Sequence, residues 1–447
     1  MAADTRSEYK NWVIYEVFVR NHGPNGTFAD VEADLPRIRS MGADAVWFMP
    51  IHTVGAEGRK GTLGCPYSIS DYRGVNPEYG TRADFGRLIE RAHALGLKVM
   101  LDVVFNHTSR DSALVREHPD FFYLDGMGRP KSTVPEWTDV IDMNHPNPDL
   151  SAYLIECLAE WARFGVDGFR CDVASLVPLE FWSAARSAVA AVKPGVLWLA
   201  ESVHAAVVNL RRSLGLTGLS DCELHSAFDM TYDYDLWSVQ QAAMAGKIPA
   251  GRYLEMLRFQ ESVLPDGAVK LRFTENHDQA RTFGILPDLR RAKAWTAFEG
   301  FNKGAFLIYG GQESCAEHTP SLFEKDPVMW GDYALQPFLT RLSKIKKDPA
   351  MTAGRFLLLG DEPAVQAVWD RPGSGLYGVF NFNGGDGGRV PVQLPDGDYQ
   401  DVLNDEEAPV RSGRIEMPES AAILRFADSV PFQSLHSLLM DYSHPSG

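Results

Sequence analysis

A chain of 447 residues is too long to fold around one ordinary core, so a large domain with a smaller companion is expected. With 45% hydrophobic and 11% aromatic residues it is not a disordered chain. A net charge of -16 argues against nucleic acid as a partner, because that ligand calls for basic patches.

In chain order, the polar N-terminus (1–8) lacks an apolar core of signal-peptide length, and no later apolar run is long enough to cross a bilayer. The five cysteines (Cys65, Cys157, Cys171, Cys222 and Cys315) are scattered and form no CxxC pair. A reducing, cytoplasmic location with no membrane partner is the expectation. WVIYEVFVR at 12–20 predicts a strand of the kind parallel sheets bury on both faces. A helix follows over 30–41, with Val31, Leu35, Ile38 and Met41 on one stripe and Gly42 closing it. Further strands are predicted at 45–51, 98–104, 166–172, 196–200, 224–230, 270–274 and 305–309. Helices are predicted at 82–95, 150–164, 179–192, 253–263 and 290–302.

Eight strands interleaved with helices predict an α/β fold, a (β/α)8 barrel over residues 1–348. Two interruptions, 53–80 after the second strand and a short insertion at about 108–148 after the third, follow strand C-terminal ends, where such barrels build active sites. Beyond 349 the pattern changes to short strands at 356–359, 364–369, 375–382, 389–394, 400–402 and 421–425, separated by Gly, Asp and Pro. That spacing predicts a C-terminal antiparallel β-sandwich over 349–427. The tail at 428–447 carries Phe432, Leu435, Leu438 and Leu439 in a weakly helical pattern.

The chemistry centres on VDGFRCDV at 166–173. Arg170 and Asp172 are two apart, so on a strand both point to one face. Inside a barrel such a pair cannot be idle filler, because buried charge is costly unless paired. A guanidinium beside Asp172 is expected to lower its pKa and keep it ionised, which suits a carboxylate nucleophile. Cys171, on the alternate face, reads as a small buried hydrophobe. Asp102 and His107 close the third strand, Glu201 the fifth, and His277 and Asp278 the seventh, so three acids, Asp172, Glu201 and Asp278, converge with Arg170 and two histidines on one mouth. Two carboxyl groups at the distance of retaining glycosidases, about 5–5.5 Å, are what neighbouring strands four and five can provide.

DVVFNH, GFRCDV, AES and FTENHD, in this order, resemble the four signature regions of the α-amylase family of glycoside hydrolases, and the resemblance covers the barrel and the sandwich. It implies Asp172 as nucleophile, Glu201 as general acid/base and Asp278 as the carboxylate that grips substrate hydroxyls. It implies that Arg170 holds Asp172 ionised, that His107 and His277 hydrogen-bond the sugar at the cleavage subsite, and that Asp102 supports the site from below. GCPYSISDY at 64–72 also matches the family, placing Tyr67 where an aromatic ring stacks on the sugar. The implied substrate is an α-glucan oligosaccharide, cut at α-1,4 bonds by hydrolysis; transfer to a sugar acceptor and α-glucosidase action are the alternatives on the same scaffold. A non-catalytic sugar-binding relative is a remote alternative, since all three acids are intact.

Two departures from the family matter. Relatives that clip single glucose units resemble one another in an Asp after the tyrosine, and here that position is Ser68, which favours an open cleft cutting within the chain. Val173, after the nucleophile, resembles α-1,6-acting relatives instead. The family commonly holds a calcium through the Asn of its first region, here Asn106, but the acids of the insertion (Asp111, Asp120, Asp125, Glu136, Asp139, Asp142) are dispersed. No cofactor is required, and a structural calcium is not expected. The loop of 310–313 and 318–325 is expected to border the cleft, either binding sugar or covering the barrel, and Trp137 and Trp330 are candidates for sugar stacking for which core or rim packing is the expectation.

Overall fold

The computed structural model describes residue 2 and residues 4–134, 136–385 and 387–433; the helical pattern expected at Leu435, Leu438 and Leu439 lies outside the described residues. Eight strands form a closed barrel: β1 (Val13–Val17), β2 (Ala45–Phe48), β3 (Lys98–Val103), β4 (Gly168–Cys171), β5 (Leu197–Ala200), β6 (Met230–Tyr232), β7 (Val269–Arg272) and β8 (Ala305–Tyr309). Each pairs in parallel with its neighbours in sequence, and β8 closes on β1. The continuous apolar runs arise because both strand faces are covered. Ile14, Trp47, Met100, Leu199 and Leu271 fill the barrel interior. Their alternates, Tyr15, Val46, Leu101, Phe169 and Ile308, pack outward under the helices. Cys171 belongs to that outer layer, as a buried apolar side chain.

The first strand stops at Val17, and Val19–His22 turns into a short helix. That turn carries Arg20 away from the strand, so that its Nη1 donates to Gly64 O at 2.8 Å and Leu322 O at 2.9 Å. The sixth strand lies later than its sequence suggested. Residues 221–224 form a helical turn whose capping box joins Ser220 and Glu223, and the strand is confined to Met230–Tyr232. Among the described residues, three helices of nine residues or more are not among those expected from the sequence: Ala205–Ser213 after β5, Tyr234–Met244 after β6 and Gln336–Ile345 after β8.

The insertion after β3 folds back as a small antiparallel pair, His107–Ser109 with Val140–Asp142. Thr53–Val54 and Ile69–Asp71 make a second one beside it. The two are tied where Thr108 Oγ1 donates to Ile69 O at 2.7 Å. Together they wall one side of the barrel mouth.

Among the described residues the C-terminal part has eight strands, β9 (Arg355–Gly360), β10 (Val365–Arg371), β11 (Ser374–Phe380), β12 (Arg389–Pro391), β13 (Gly397–Asp401), β14 (Glu406–Val410), β15 (Arg414–Glu416) and β16 (Ala421–Phe426). Six form an antiparallel sheet in the order β9-β10-β11-β16-β13-β14, and β12 pairs with β15 in a separate ribbon. Val390 and Ile415 of the ribbon share a core with Tyr377, Val379 and Leu424 of the sheet, so the two layers form the sandwich. β14 and β15 had no clear apolar alternation, because Glu406, Glu407, Arg414 and Glu416 are exposed.

Candidate active site

Arg170 is the fixed point of the barrel mouth. It sits inside β4 with no exposed surface, level with Asp102 of β3. Its Nη1 donates to Asp102 Oδ1 at 2.9 Å and Oδ2 at 3.1 Å, and to Asp172 Oδ1 at 2.9 Å. Its Nη2 lies 2.9 Å from Glu201 Oε2, off the angle a hydrogen bond needs. Its Nε donates to Tyr232 OH at 3.2 Å. One guanidinium thus bridges the carboxyls on the exits of β4 and β5 and rests on a third below them.

The sequence expectation for Asp172 needs correction. Its pKa is raised, not lowered, to about 7: burial lifts it, Arg170 pulls it back only in part, and Asp102 pushes it further up. Asp102 and Glu201 are likewise raised to about 7, burial being the main cause in both. The physical reason is that a single positive charge is divided among three buried carboxyls, which then titrate as a set. The hydrogen bonds say which member keeps the proton. Asp102 accepts two aligned Arg170 bonds plus Tyr67 OH at 3.0 Å, and Asp172 accepts one from Arg170. Glu201 accepts a hydrogen bond from the Val173 N–H at 2.6 Å, with its Arg170 contact off angle, so it is the least served of the three by aligned donors and the best placed to keep the proton.

Asp278 behaves in the opposite way. Burial opposes its ionisation, but the charge of His277 overrides it and holds the carboxyl at about 2. His277 Nε2 lies 3.1 Å from Asp278 Oδ2, and its Nδ1 is hydrogen-bonded to Glu16, the inward acid of β1. Burial alone would lower the pKa of His277; Asp278 and Glu16 together raise it well above its ordinary value. Tyr234 OH donates to Asp278 Oδ2 at 3.3 Å, and Asn276 Nδ2 donates to Tyr234 OH at 2.9 Å.

The aromatic floor is also assembled here. Tyr67 OH meets His277 Nε2 at 2.7 Å, its ring lies parallel to the imidazole at 5.4 Å, and Arg170 lies beneath it at 5.5 Å. His107 Nε2 is 4.0 Å from Asp172 Oδ2, and burial lowers its pKa to about 4, so it is a neutral donor or acceptor. Asp172, Glu201, Asp278, Tyr67 and His107 all line one cavity of about 740 Å³. The structure therefore brings every sequence-proposed site residue to one place, Asp102 and Arg170 directly beneath.

Some residues of the site were not foreseen. Glu16 had a signal, an acid alternating with apolar residues in a buried strand. Tyr234 had none, because the sixth strand was placed too early. Trp137 lines the rim of the cavity and packs there, its ring 5.0 Å from His107. Trp330 packs as well: its Nε1 donates to His22 O at 2.7 Å and Arg37 lies 5.2 Å over its ring. Ser68 is buried and donates to Asp139 O at 3.0 Å.

Five of the six acids of the insertion meet donors of the protein. Asp111 accepts from Ala56 N at 2.8 Å, Asp120 from Asn147 Nδ2 at 2.8 Å, Asp125 from Met127 N at 2.8 Å, and Asp142 from Thr133 N at 2.9 Å. Asp139 is paired with Lys60 at 3.1 Å, and Asn106 Nδ2 faces His107 Nδ1 at 3.3 Å. Among the described residues no group of three or more His, Cys, Asp and Glu is placed to hold a metal.

The model of the α-amylase catalytic domain matches residues 5–132 and 134–353, and that of the bacterial α-amylase C-terminal domain matches residues 360–424. A crystal structure of an α-amylase from Lactobacillus plantarum is similar at 42% identity and a TM-score of 0.91, covering 94% of this chain and 100% of that one. A noncanonic maltogenic α-amylase, AmyB from Thermotoga neapolitana, is similar at 31% identity and a TM-score of 0.82, covering 94% of this chain and 99% of that one. Among curated proteins, the α-amylase MalA of Haloarcula japonica is 29% identical over 76% of this chain and 49% of its own length. An α-1,4-glucan:maltose-1-phosphate maltosyltransferase of Myxococcus xanthus is 30% identical over 52% of this chain and 36% of its own length. The chain thus spans half or less of these two curated relatives. With a catalytic-domain match running through most of its length, the chain belongs to the α-amylase family of glycoside hydrolases.

Proposed function

We propose that this protein hydrolyses α-1,4-glucosidic bonds within maltooligosaccharides and dextrins with retention of configuration. The observation that carries the reading is the single guanidinium of Arg170 bridging Asp172 and Glu201 at the barrel mouth. Asp172, the better-served carboxylate, attacks the anomeric carbon, while Glu201, which holds the shared proton, gives it to the leaving oxygen. Water then gives its proton to Glu201 and its oxygen to the anomeric carbon, releasing Asp172. Asp278, kept ionised by His277, accepts hydrogen bonds from sugar hydroxyls as the ring flattens. Ser68 turns its hydroxyl to the backbone of the insertion, which supports an open cleft rather than a pocket clamping the chain end. All five cysteines are unpaired, which supports a reducing, cytoplasmic compartment, and no helix among the described residues is long and apolar enough to cross a membrane.

Transfer to a sugar acceptor is the second reading, favoured by the similarity to the maltosyltransferase. Both share the same covalent intermediate. Asp172→Ala and Glu201→Gln are each expected to lower kcat on maltoheptaose on the order of 10³-fold or more, with circular dichroism unchanged. Near-wild-type turnover in either variant overturns the assignment. Early products longer than maltoheptaose would move the balance to transfer.

A further inference from the structure

Val207, Leu210 and Leu214 are 38%, 58% and 64% exposed, an unusual concentration of bare aliphatic side chains beside charged chemistry. They recur at three- and four-residue intervals along the helix Ala205–Ser213 and its C-terminal end, so they form one stripe. The stripe lines the same cavity as Asp172 and Glu201, and Val203 and Leu216 extend it at either end. Arg211 shares the stripe but offers little to a ligand: it is buried, its Nη1 donating to Thr133 Oγ1 at 2.8 Å and its Nε to Thr217 O at 3.2 Å. His204 adds an imidazole stacked on Tyr234, ring centres 5.9 Å apart.

The position of this wall fixes its role. It follows Glu201 directly in sequence, and on the hydrolase reading above Glu201 serves the oxygen of the departing group. The wall therefore flanks the leaving group and, in the second half of the reaction, the incoming acceptor. A sugar placed against it finds few partners for its hydroxyls and loses their hydration without return. An aryl or alkyl group buries apolar surface against the same side chains at a gain.

We propose that this wall lets the leaving-group side of the site take, beside the sugar of an oligosaccharide, an aryl or alkyl group, and prefer longer apolar aglycones and acceptor alcohols to shorter ones; this rests on the hydrolase reading above. In the first step the Asp172 carboxylate bonds to the anomeric carbon, the bond from that carbon to the aglycone oxygen breaks, and the Glu201 proton completes a free alcohol or phenol. In the second, water or an apolar alcohol gives its proton to the Glu201 carboxylate and its oxygen to the anomeric carbon, and the Asp172 carboxylate departs. Charge and atoms balance with no further reactant.

The test compares n-hexyl α-maltoside with methyl α-maltoside, whose leaving alcohols differ in the length of the apolar chain. In the wild-type protein kcat/KM is expected to favour the hexyl glycoside by about tenfold or more, the scale of a filled apolar pocket. In Leu210→Ser/Leu214→Ser, whose substitutions are on exposed positions, that ratio falls towards one. No preference in the wild type, or an unchanged ratio in the variant, overturns the inference while leaving hydrolysis of maltoheptaose intact. Absence of turnover on maltoheptaose and both glycosides sinks the hydrolase reading instead. A dimer in light scattering that the double variant dissociates would show a second copy covering the stripe, and likewise overturns it.

Discussion

Val173 stands in the left-handed region, φ 34° and ψ 46°, a conformation that β-branched residues avoid and that costs on the order of 1–3 kcal/mol. The strain turns its N–H onto Glu201 Oε2. It is one of two costs concentrated beside the same carboxyl, the other being charge. Glu201 is raised from 4.5 to about 7, chiefly by burial. A carboxyl raised in the folded state binds its proton more tightly there than in the unfolded chain. It therefore supports the fold below about pH 4.5, and that support is lost as pH rises through about 7, leaving a buried ionised group among Asp172 and Asp102. Glu201→Gln removes the titration while keeping an acceptor for Val173. The variant is expected to melt higher than wild type at pH 8, by a margin on the order of 1 kcal/mol, with the margin shrinking towards zero at pH 5. Calorimetry at both pH values decides it; a margin equal at both, or larger at pH 5, refutes the placement of the proton.

Acids of the insertion after β3 are each met, at separate places, by a donor of the protein. Backbone N–H groups serve Asp111 and Asp142, an amide serves Asp120, and the Lys60 ammonium serves Asp139 and also donates to Glu136 O at 3.2 Å. With no group of three His, Cys, Asp or Glu placed to hold a metal among the described residues, exhaustive dialysis against EDTA is expected to shift the melting temperature by less than about 1 °C, and added calcium to leave it unchanged. A drop of several degrees that calcium restores would mean that the insertion opens to admit an ion. The same elements show what sequence can and cannot reveal. Barrel strands were legible because burial on both faces leaves unbroken apolar runs, and Asp172, Glu201 and Asp278 because each stands at such a run's end. β6 was not, since Leu224, Ala227 and Phe228 are apolar for packing outside the barrel, and the three-residue strand begins only after them. The sharing of Arg170 among three acids was equally hidden: adjacency in sequence shows Asp172, whereas Asp102 and Glu201 reach the guanidinium only through the closure of the sheet.

At the scale of the whole molecule, the barrel and the sandwich share one seam. The helix Leu289–Phe301 runs between them, and Trp295 stacks on Phe382 with ring centres 3.8 Å apart. Phe298 meets Phe380 edge-on at 5.3 Å, and Trp369 Nε1 donates to Phe301 O at 2.7 Å. A helix buried from Ala292 to Phe301 on the barrel side and against the sheet cannot present a polar face if the sandwich is removed, so neither part closes its core alone. Phe382→Ala should therefore act on the whole chain rather than on the sandwich. Its cost is expected to be about 3 kcal/mol, the range of a buried aromatic truncated to alanine. Loss of activity on heating and loss of sandwich structure, followed by tryptophan fluorescence and far-ultraviolet circular dichroism, are expected to shift down together by several degrees. If the variant instead lost the sandwich at low temperature while activity persisted to the wild-type midpoint, the barrel would be an independent unit and the seam merely a contact between finished domains.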